Sequence, residues 1–437
     1  MTFLFNSGSV ITNEVEIKND AGNALPVVFV EGSPAITTTF PTTNYDSFGR
    51  FRTTTPYTLF DSSQRYADNG KFATSNTSTT SYSFQANTAS IDMVVDTTSS
   101  AKVYRESYRV FAYQPGKSLQ IINTFVMNTS KANLRQRVGY FSTDNGIFLE
   151  QSDNVYFVKR SKVTGSVVDT KIAQSSWNID PMDGTGPSGL TLNLAYPQIF
   201  WIDIEWLGVG TVRMGFVING RFIHCHSIHH ANLSSSPAGA YMQTACLPVR
   251  YEIENTGATA SSSTLKQICS TVISEGGYEL AGKMRTIGMQ PITAANYNLA
   301  TANVFYPVAS IRLKSTHLDA IVIPKNIALV GTTQSDFRYK IISNANVTGG
   351  SWVSDGADSA VEYNLSGTSF TGGTDLRSSY LISTGSQSLT VDLRDGDFKF
   401  QLERDSFTAT PITFTLVAAA KNNNDKVLAS IDWEEIT

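Results

Sequence analysis

The sequence predicts an all-β protein. Short runs rich in Val, Ile, Thr, Tyr and Phe recur along the chain, and clusters of Gly, Asn, Asp and Ser separate them, as is typical of strands joined by turns. Charged residues make up only 16% of the 437 residues, below the roughly one quarter usual in globular proteins. Helical turns are expected only near residues 263–271 and 292–300.

Three segments follow one another in this pattern. Residues 1–45 mix apolar residues with Thr and Pro, which predicts an N-terminal attachment segment followed by an extended linker. Residues 46–280 carry most of the aromatic side chains and are expected to form the main β domain. Residues 281–437 contain further short strands with turn signals such as TGG, SDG and RDGD, a spacing typical of a second β-sandwich.

The composition and the absence of several motifs argue against some classes of function. The net charge of −4 and the pI near 5.8 lack the basic excess of nucleic-acid-binding chains. No apolar run reaches about 18 residues, so no membrane span is expected, and the first residues lack a signal-peptide pattern. Without a P-loop or a Gly-rich dinucleotide loop, no cofactor is expected. The three cysteines form no C-x-x-C pair, which favours reduced thiols and assembly in a cytoplasm.

The clearest local feature is a hairpin over residues 212–228, VRMGFVI-NG-RFIHCHSI. Asn-Gly between two alternating runs predicts a two-residue turn, because both positions need positive φ. Counting outward from this turn pairs Ile218 with Arg221, Gly215 with His224, and Arg213 with His226. Side-chain alternation then gives the hairpin a core face and an opposite face, and it places Arg213, His224 and His226 on the opposite face. The core set is Met214, Phe216, Ile218, Ile223 and Cys225.

The preceding strand, WIDIEW, shows the same alternation. Trp201, Asp203 and Glu205 point to the face opposite Ile202, Ile204 and Trp206. Together with the hairpin, this strand resembles the end of a concanavalin-like or laminin-G-like jelly roll, over roughly residues 195–230. The resemblance implies a two-sheet jelly-roll sandwich and raises carbohydrate binding, with Trp201, Asp203 and Glu205 as candidate glycan-binding residues.

A hydrolase is the catalytic alternative for this strand. Concanavalin-like glycoside hydrolases carry an E-x-D-x-E strand, in which the first Glu is the nucleophile and the last is the acid. Here Trp201 stands at the nucleophile position, and only Glu205 matches the acid. Because retaining hydrolysis needs two carboxyl groups, the sequence favours a protein that is not an enzyme.

Four of the five histidines lie in HCHSIHH. Histidines two apart on a strand project to one face, so His224 and His226 form a candidate metal pair. Trimeric phage tail fibres use H-x-H pairs to hold iron, which gives the pattern a precedent. Arg213, expected opposite His226, opposes a bound cation, and surface histidines at a strand end are the alternative.

Several stretches between residues 53 and 278 resemble structural proteins of marine T-even-like phages, particularly those of cyanobacteria. They include TTTPYTLFDSSQRY (53–66), FAYQPGKSLQIINTF (111–125), NLRQRVGYFSTDNGIFLEQ (133–151) and RYEIENTGATASSSTLKQICSTVISEGGY (250–278). VEIKNDAGNALPVV (15–28) resembles docking modules at the start of phage fibre-like proteins. The resemblance implies a virion component that is assembled in the host cytoplasm and attached to other virion proteins through its N-terminal segment.

Three functions remain open at this point. The first is a structural component of a tailed-phage virion, displayed as a fibre, spike or baseplate-associated appendage, for which a homotrimer is expected. The second is a capsid decoration protein on the head, which need not self-associate before it meets the capsid. The third is a glycan-binding module without catalysis that contacts the host surface.

Overall fold

The structure is a computed structural model. It describes residues 15–18, 24–29, 36–37, 46, 55–233, 239–290, 297–384, 388–393 and 399–436. Near the N-terminus, β1 (Val15–Lys18), β2 (Ala24–Phe29) and β3 (Ile36–Thr37) form a small antiparallel sheet in the order β1-β2-β3. Most of the linker expected before residue 46 lies outside the described residues.

In the part of the chain that the structure describes, the first sandwich contains fifteen strands and a short 3₁₀ helix at Gln174–Ser176. The strands are β4 (Tyr57–Ser63), β5 (Phe72–Asn76), β6 (Ser81–Gln85), β7 (Ser90–Val95), β8 (Lys102–Ser107), β9 (Ser118–Val126), β10 (Leu134–Phe141), β11 (Gly146–Gln151), β12 (Val155–Ser161), β13 (Val168–Ala173), β14 (Gln198–Ile204), β15 (Val212–Ile218), β16 (Arg221–Ile228), β17 (Val249–Asn255) and β18 (Ser263–Glu275).

These strands form two antiparallel sheets. The seven-stranded sheet has the order β13-β12-β11-β10-β17-β8-β5. The eight-stranded sheet has the order β16-β15-β14-β9-β18-β7-β6, with β4 also paired to β18. The chain crosses between the sheets at β7–β8–β9–β10 and again at β16–β17–β18, as in a jelly roll.

The core lies between the two sheets, because alternate side chains along each strand point toward the facing sheet. In β9, Leu119, Ile121, Asn123 and Phe125 are buried, while Gln120, Ile122 and Thr124 alternate with them and are half-buried on the outer face. Aromatic rings fill the middle: the rings of Phe157 and Trp177 stack with centroids 4.0 Å apart. Burying each such side chain stabilises the fold by about 1.5–3 kcal/mol.

Fifteen further strands form the second sandwich within the described residues of 281–436. They are β19 (Lys283–Gly288), β20 (Tyr297–Leu299), β21 (Tyr306–Leu313), β22 (Ile321–Gly331), β23 (Ser335–Ser343), β24 (Asn346–Thr348), β25 (Val353–Ser354), β26 (Val361–Asn364), β27 (Ser369–Thr371), β28 (Thr374–Ser383), β29 (Ser388–Asp392), β30 (Arg404–Asp405), β31 (Thr410–Pro411), β32 (Phe414–Ala420) and β33 (Asp425–Ile436).

Its two main sheets pack on a core of their own. One has the order β19-β33-β22-β29, with β20 on β33, and the other has the order β25-β26-β21-β32-β23-β28. Two short ladders, β24–β27 and β30–β31, lie beside them. Trp433, Leu416 and Ile431 are fully buried between the sheets. The predicted fold class, an all-β jelly-roll sandwich followed by a second β-sandwich, is confirmed.

The two sandwiches meet along residues 399–405. The backbone N–H of Arg404 donates to the carbonyl of Tyr108 at 3.1 Å, and its guanidinium donates to the carbonyl of Ser107 and the carboxylate of Glu106, each at 2.7 Å. Arg404 is buried. Nearby, Arg109 pairs with Glu403 at 2.6 Å. The second sandwich is therefore fixed to the first by buried polar contacts of Arg404 with Glu106 and by the apolar packing of Ile321 and Ile323.

The helical turn expected near residues 263–271 is wrong. These residues belong to β18, whose side chains alternate between buried and half-buried positions. The strand pairs with β9, β7 and β4, so tertiary hydrogen bonding decides its conformation. Residues 292–296 lie outside the described residues, and residues 297–299 form strand β20. Among the described residues, no helix has the length and apolar character needed to cross a membrane.

Candidate functional site

The predicted glycan-binding residues lie on the outer face of the eight-stranded sheet, but they are buried. Trp201 is 3% exposed, and Asp203 and Glu205 are 0% exposed. The ring of Trp201 packs against those of Phe222 and His224 with centroids 5.7 Å from it. An aromatic platform open to a sugar ring is therefore not present at Trp201.

Gly215 explains how the indole of Trp201 comes to be covered. The two residues are opposite each other on β14 and β15. A Cβ at position 215 would lie 3.0 Å from the indole Nε1 and 1.9 Å from the carbonyl oxygen of Ile223. The absence of a side chain there lets the indole lie flat against the hairpin, under Phe222.

Asp203 is held in a buried ion pair rather than presented to a ligand. Arg213, directly opposite on β15, donates through Nε at 3.1 Å and through Nη2 to Oδ2 of Asp203. The hydroxyl of Ser118 donates to Oδ1. Because both carboxylate oxygens have donors, Asp203 orders the sheet rather than providing a free base.

Glu205 follows the last residue of β14 and begins a tight loop. Its backbone N–H donates to the carbonyl of Thr211 at 3.4 Å, and the N–H of Gly210 donates to the carbonyl of Trp206 at 2.7 Å. The backbone passes so close that a Cβ at Gly210 would lie 1.7 Å from the carbonyl oxygen of Glu205. This closed loop buries the side chain of Glu205.

The predicted metal pair is separated by a β-bulge. Pairing of β15 with β16 follows the prediction from Ile218–Arg221 to Gly215–His224, and then shifts so that Met214 pairs with His226 and Cys225 is the extra residue. A bulge places two residues opposite one and breaks the alternation of faces. His224 and His226 therefore do not share a face, and this part of the predicted register is wrong.

The contacts of the two rings confirm this separation. The ring of His224 lies beside Trp201 on the outer face, while that of His226 lies beside the core residue Phe157, with centroids 6.4 Å apart. Nδ1 of His226 accepts a hydrogen bond from the N–H of Asn178 at 3.0 Å. Among the described residues, no group of three or more His, Cys, Asp or Glu side chains is placed to hold a metal ion.

Burial keeps both histidines neutral. It lowers the pKa of His224 to about 4, helped by the nearby charge of Arg213, and it lowers the pKa of His226 to about 4 as well. Burial also raises the pKa of the Cys225 thiol far above its usual range. Its Sγ contacts the sulfur of Met182 at 3.3 Å, as expected for a core residue.

His230 takes part in a cluster that the sequence did not indicate. Its ring stacks on Tyr241 with centroids 3.7 Å apart and an interplanar angle of 6°. Its Nδ1 lies 2.7 Å from the carbonyl oxygen of Gly210, and Lys159 lies 3.2 Å from its Nε2. Burial lowers the pKa of His230 to about 4. The neutral ring therefore donates through Nδ1 and accepts from Lys159 through Nε2.

A ladder of ion pairs covers the outer face of the seven-stranded sheet, and sequence reasoning missed it. Arg137 on β10 lies opposite Glu150 on β11 and Glu252 on β17. It donates to Glu150 at 2.6 Å and lies 3.4 Å from Glu252. Arg250 pairs with Glu252 at 2.6 Å and with Glu106 at 2.7 Å. The alternation of charged and apolar residues in VRYEIEN (249–255) was the available signal.

The ladder stabilises structure and does not prepare a general acid. Each of its three central carboxylates, those of Glu106, Glu150 and Glu252, contacts two cationic side chains. Burial alone raises the pKa of Glu150, but the charges of Arg137 and Lys171 hold it below its ordinary value. A carboxyl group that donates a proton near neutral pH needs the opposite shift.

Comparisons with known proteins give structural likeness only. No protein-family model matches the sequence, and no curated protein matches it. Similar solved structures include the carbohydrate recognition domain of Emp47p, at 9% identity and TM-score 0.32, covering 50% of this chain and 96% of that one. The Bacillus licheniformis β-glucanase matches at 8% identity and TM-score 0.30, covering 50% and 98%. The lectin UEA-II, complexed with galactose, matches at 10% identity and TM-score 0.29, covering 49% and 99%. At these scores the likenesses carry no argument about function.

Proposed function

We propose that this chain is a non-enzymatic structural component of a tailed-phage virion, displayed on the particle as an appendage protein. The proposal combines the sequence resemblance across residues 53–278 with one structural observation. In the ladder on the seven-stranded sheet, buried charges neutralise one another in ion pairs, and one further pair, Arg404 with Glu106, joins the two sandwiches. Such a chain is suited to holding a fixed shape outside a cell.

The same observation argues against an enzyme. The carboxylates of Asp203 and Glu150 are held by Arg213 and Arg137 respectively, so neither is available as the partner acid of Glu205. We expect the purified chain to release no reducing ends from host-surface polysaccharide. The Glu205→Gln variant is expected to behave like the parent chain in that assay. Hydrolysis that the variant abolishes would contradict this part of the proposal.

The N-terminal segment supplies the attachment in this proposal. Residues 1–45 include the three-stranded sheet of β1, β2 and β3, while buried contacts between the sandwiches are made by residues outside this segment, such as Glu106, Arg404 and Ile323. Deleting residues 1–45 is therefore expected to leave the sandwiches folded and to prevent incorporation into particles. Particles that incorporate the truncated chain at the level of the full chain would contradict attachment through this segment.

Two positions on a particle remain to be separated. An appendage is expected to be a homotrimer in isolation, whereas a head decoration protein can be monomeric until it meets the capsid lattice. Light scattering after size-exclusion chromatography separates a trimer from a monomer of 47.6 kDa. Peptide mass spectrometry of gradient-purified particles tests the wider claim, because a virion component must be recovered with the particles.

A further inference from the structure

A cleft opens at one end of the ladder of ion pairs. Three connections form its walls: residues 130–133 between β9 and β10, residues 152–153 between β11 and β12, and Thr256 after β17. Its floor is made by Arg135, Glu150 and Lys171. The cleft encloses about 470 Å³, a volume within the range of small-molecule binding sites.

Lys131 brings a positive charge to this cleft without a carboxylate among its hydrogen-bond partners. Its ammonium donates to the carbonyl oxygens of Ser261 and Ser262 at 3.1 and 3.0 Å, and to the hydroxyl of Ser261 at 2.9 Å. These neutral oxygens fix the position of the ammonium. They accept all three N–H donors of the ammonium, so Lys131 acts on an occupant of the cleft through its positive charge and not through a hydrogen bond.

Arg135 is the second cation. Its Nη2 pairs with Glu254 across β10 and β17, while its Nε is buried and has no acceptor among the described residues. Burial and the nearby charge of Arg137 lower the pKa of Arg135. The buried Nε–H of Arg135 is therefore a donor without an acceptor in the described part of the chain, and an anionic group bound in the cleft would supply one.

Lys171, on β13, is the third cation of the cleft. It contacts Glu150 at 2.5 Å, but Glu150 is already paired with Arg137. Its ammonium also lies 5.3 Å from the ring centroid of Tyr156. Arg135 and Lys171 are thus paired with Glu254 and Glu150, whereas the hydrogen-bond acceptors of Lys131 are neutral oxygens.

The rest of the lining is neutral and polar. Ser130, Asn133, Ser152 and Thr256 place hydroxyl and amide groups around the opening. Such groups match the hydroxyls of a sugar, and the volume of the cleft is far larger than a lone inorganic anion requires.

We propose that this cleft binds a saccharide unit that carries a carboxylate or sulfate group. The anionic group lies between Lys131 and Arg135, and the sugar hydroxyls contact the neutral rim. The inference rests on the geometry of the cleft alone and holds whether or not the chain is part of a virion. On a displayed protein, such a site would contact acidic surface polysaccharide.

Isothermal titration calorimetry of the full chain tests this inference. The probes are digalacturonate for the carboxylate, a sulfated chondroitin disaccharide for the sulfate, uncharged lactose and inorganic sulfate. At least one acidic disaccharide is expected to bind with a stoichiometry of one per chain. Lactose and inorganic sulfate are expected to bind at least tenfold more weakly, since each lacks one half of the recognised chemistry.

Two substitutions locate the site. Lys131→Gln is expected to weaken binding of the acidic disaccharide about tenfold, because it removes a positive charge from beside the bound anionic group. Arg135→Lys keeps the charge but loses the planar fork, and is expected to weaken binding as well. Lys314→Gln is the matched control, because Lys314 also donates to two carbonyl oxygens, those of Gly356 and Ser359, in the second sandwich.

The inference has clear contrary outcomes. Equal binding of lactose and the acidic disaccharides would remove the role of charge, and equal binding of inorganic sulfate would reduce the site to an anion site. An affinity that Lys131→Gln and Lys314→Gln leave equally unchanged would place binding elsewhere on the chain. Thermal unfolding of each variant checks that a lost affinity is not a lost fold.

Discussion

Arg404 of the second sandwich donates to Glu106 of the first at 2.7 Å, and both side chains are almost fully buried. Glu106 also forms an ion pair with Arg250 at 2.7 Å. The contact between Arg404 and Glu106 therefore extends the ladder of ion pairs to the junction between the two sandwiches. Within the second sandwich, Arg404 also donates to the carboxylate of Asp319 at 3.0 Å. This one side chain therefore ties the second sandwich to the outer face of the seven-stranded sheet.

Replacing Arg404 with Met is expected to weaken the junction. The substitution keeps much of the side-chain volume but leaves the carbonyl oxygens of Ser107 and Tyr108 without this donor. Removing one partner of a buried pair costs about 3–5 kcal/mol. The free energy of unfolding measured in urea is expected to fall by that amount, or the unfolding curve is expected to split into two transitions. Lys421→Met, which removes an exposed pair with Asp336 at 3.0 Å, is expected to change stability by less than about 1 kcal/mol.

Asp203→Asn tests whether the outer face of β14 is structural. The variant keeps the shape of the side chain but removes the negative charge that forms the buried ion pair with Arg213. A loss of about 3 kcal/mol is expected. The control is Asp61→Asn, where the pair with Lys71 at 3.4 Å is largely exposed and the expected change is below about 1 kcal/mol. Equal effects of the two substitutions in a denaturant titration would contradict the structural role of Asp203.

Gly215→Ala tests the packing of Trp201. The added Cβ meets the carbonyl oxygen of Ile223 at 1.9 Å, so strand β15 must shift away from β16. A loss of about 3 kcal/mol is expected, together with a change in the fluorescence of Trp201. Gly239→Ala, where a Cβ meets nothing within 4 Å, is expected to stay within about 0.5 kcal/mol of the parent. A Gly215→Ala protein as stable as the parent would show that the indole is not seated on this hairpin.

The hairpin also shows how far the sequence could be interpreted. Asn219-Gly220 fixed the turn, and the pairs from Ile218–Arg221 to Gly215–His224 follow from it. The bulge at Cys225 could not be predicted, because it depends on contacts with a distant loop: the N–H groups of Ile179 and Asp180 both donate to the carbonyl of Cys225, at 3.1 and 3.0 Å. For this reason His224 and His226 do not share the face on which the candidate metal pair depends.

The candidate site shows the same limit. Alternation in WIDIEW correctly placed Trp201 and Asp203 on the face opposite Ile202 and Ile204, but it could not show that this face is covered. Burial there depends on pairing with Arg213, which follows a loop of unpredictable geometry. The contact between Arg404 and Glu106 joins residues almost 300 positions apart, and no local sequence pattern predicts it.

Stability is expected to fall as the pH drops from about 6.5 to about 4. Burial lowers the folded-state pKa of His230 to about 4, while the unfolded value is near 6.5. A depressed histidine pKa means that the unfolded state binds the proton first, so the stabilisation is complete above 6.5 and decreases below it. Protonation of Nε2 would also turn the hydrogen bond from Lys159 into a repulsion.

The pH dependence has a direct check. Urea midpoints of the parent chain at pH 7 and pH 4.5 are compared with those of His230→Gln. The variant is expected to show a smaller difference between the two pH values, although it is less stable at pH 7. His317→Gln, at an exposed position, is expected to keep the full difference. A parent chain that is equally stable at both pH values would show that His230 is not held neutral by its surroundings.

The position of the chain on a particle is the central claim, and immunogold labelling of purified phage particles tests it most directly. Antibodies against the second sandwich, residues 281–437, are expected to decorate the tail, spikes or baseplate at regular sites. Gold confined to the head would favour the decoration protein instead. Particles that bind no gold, while the same antibodies recognise the purified chain, would contradict a place on the virion.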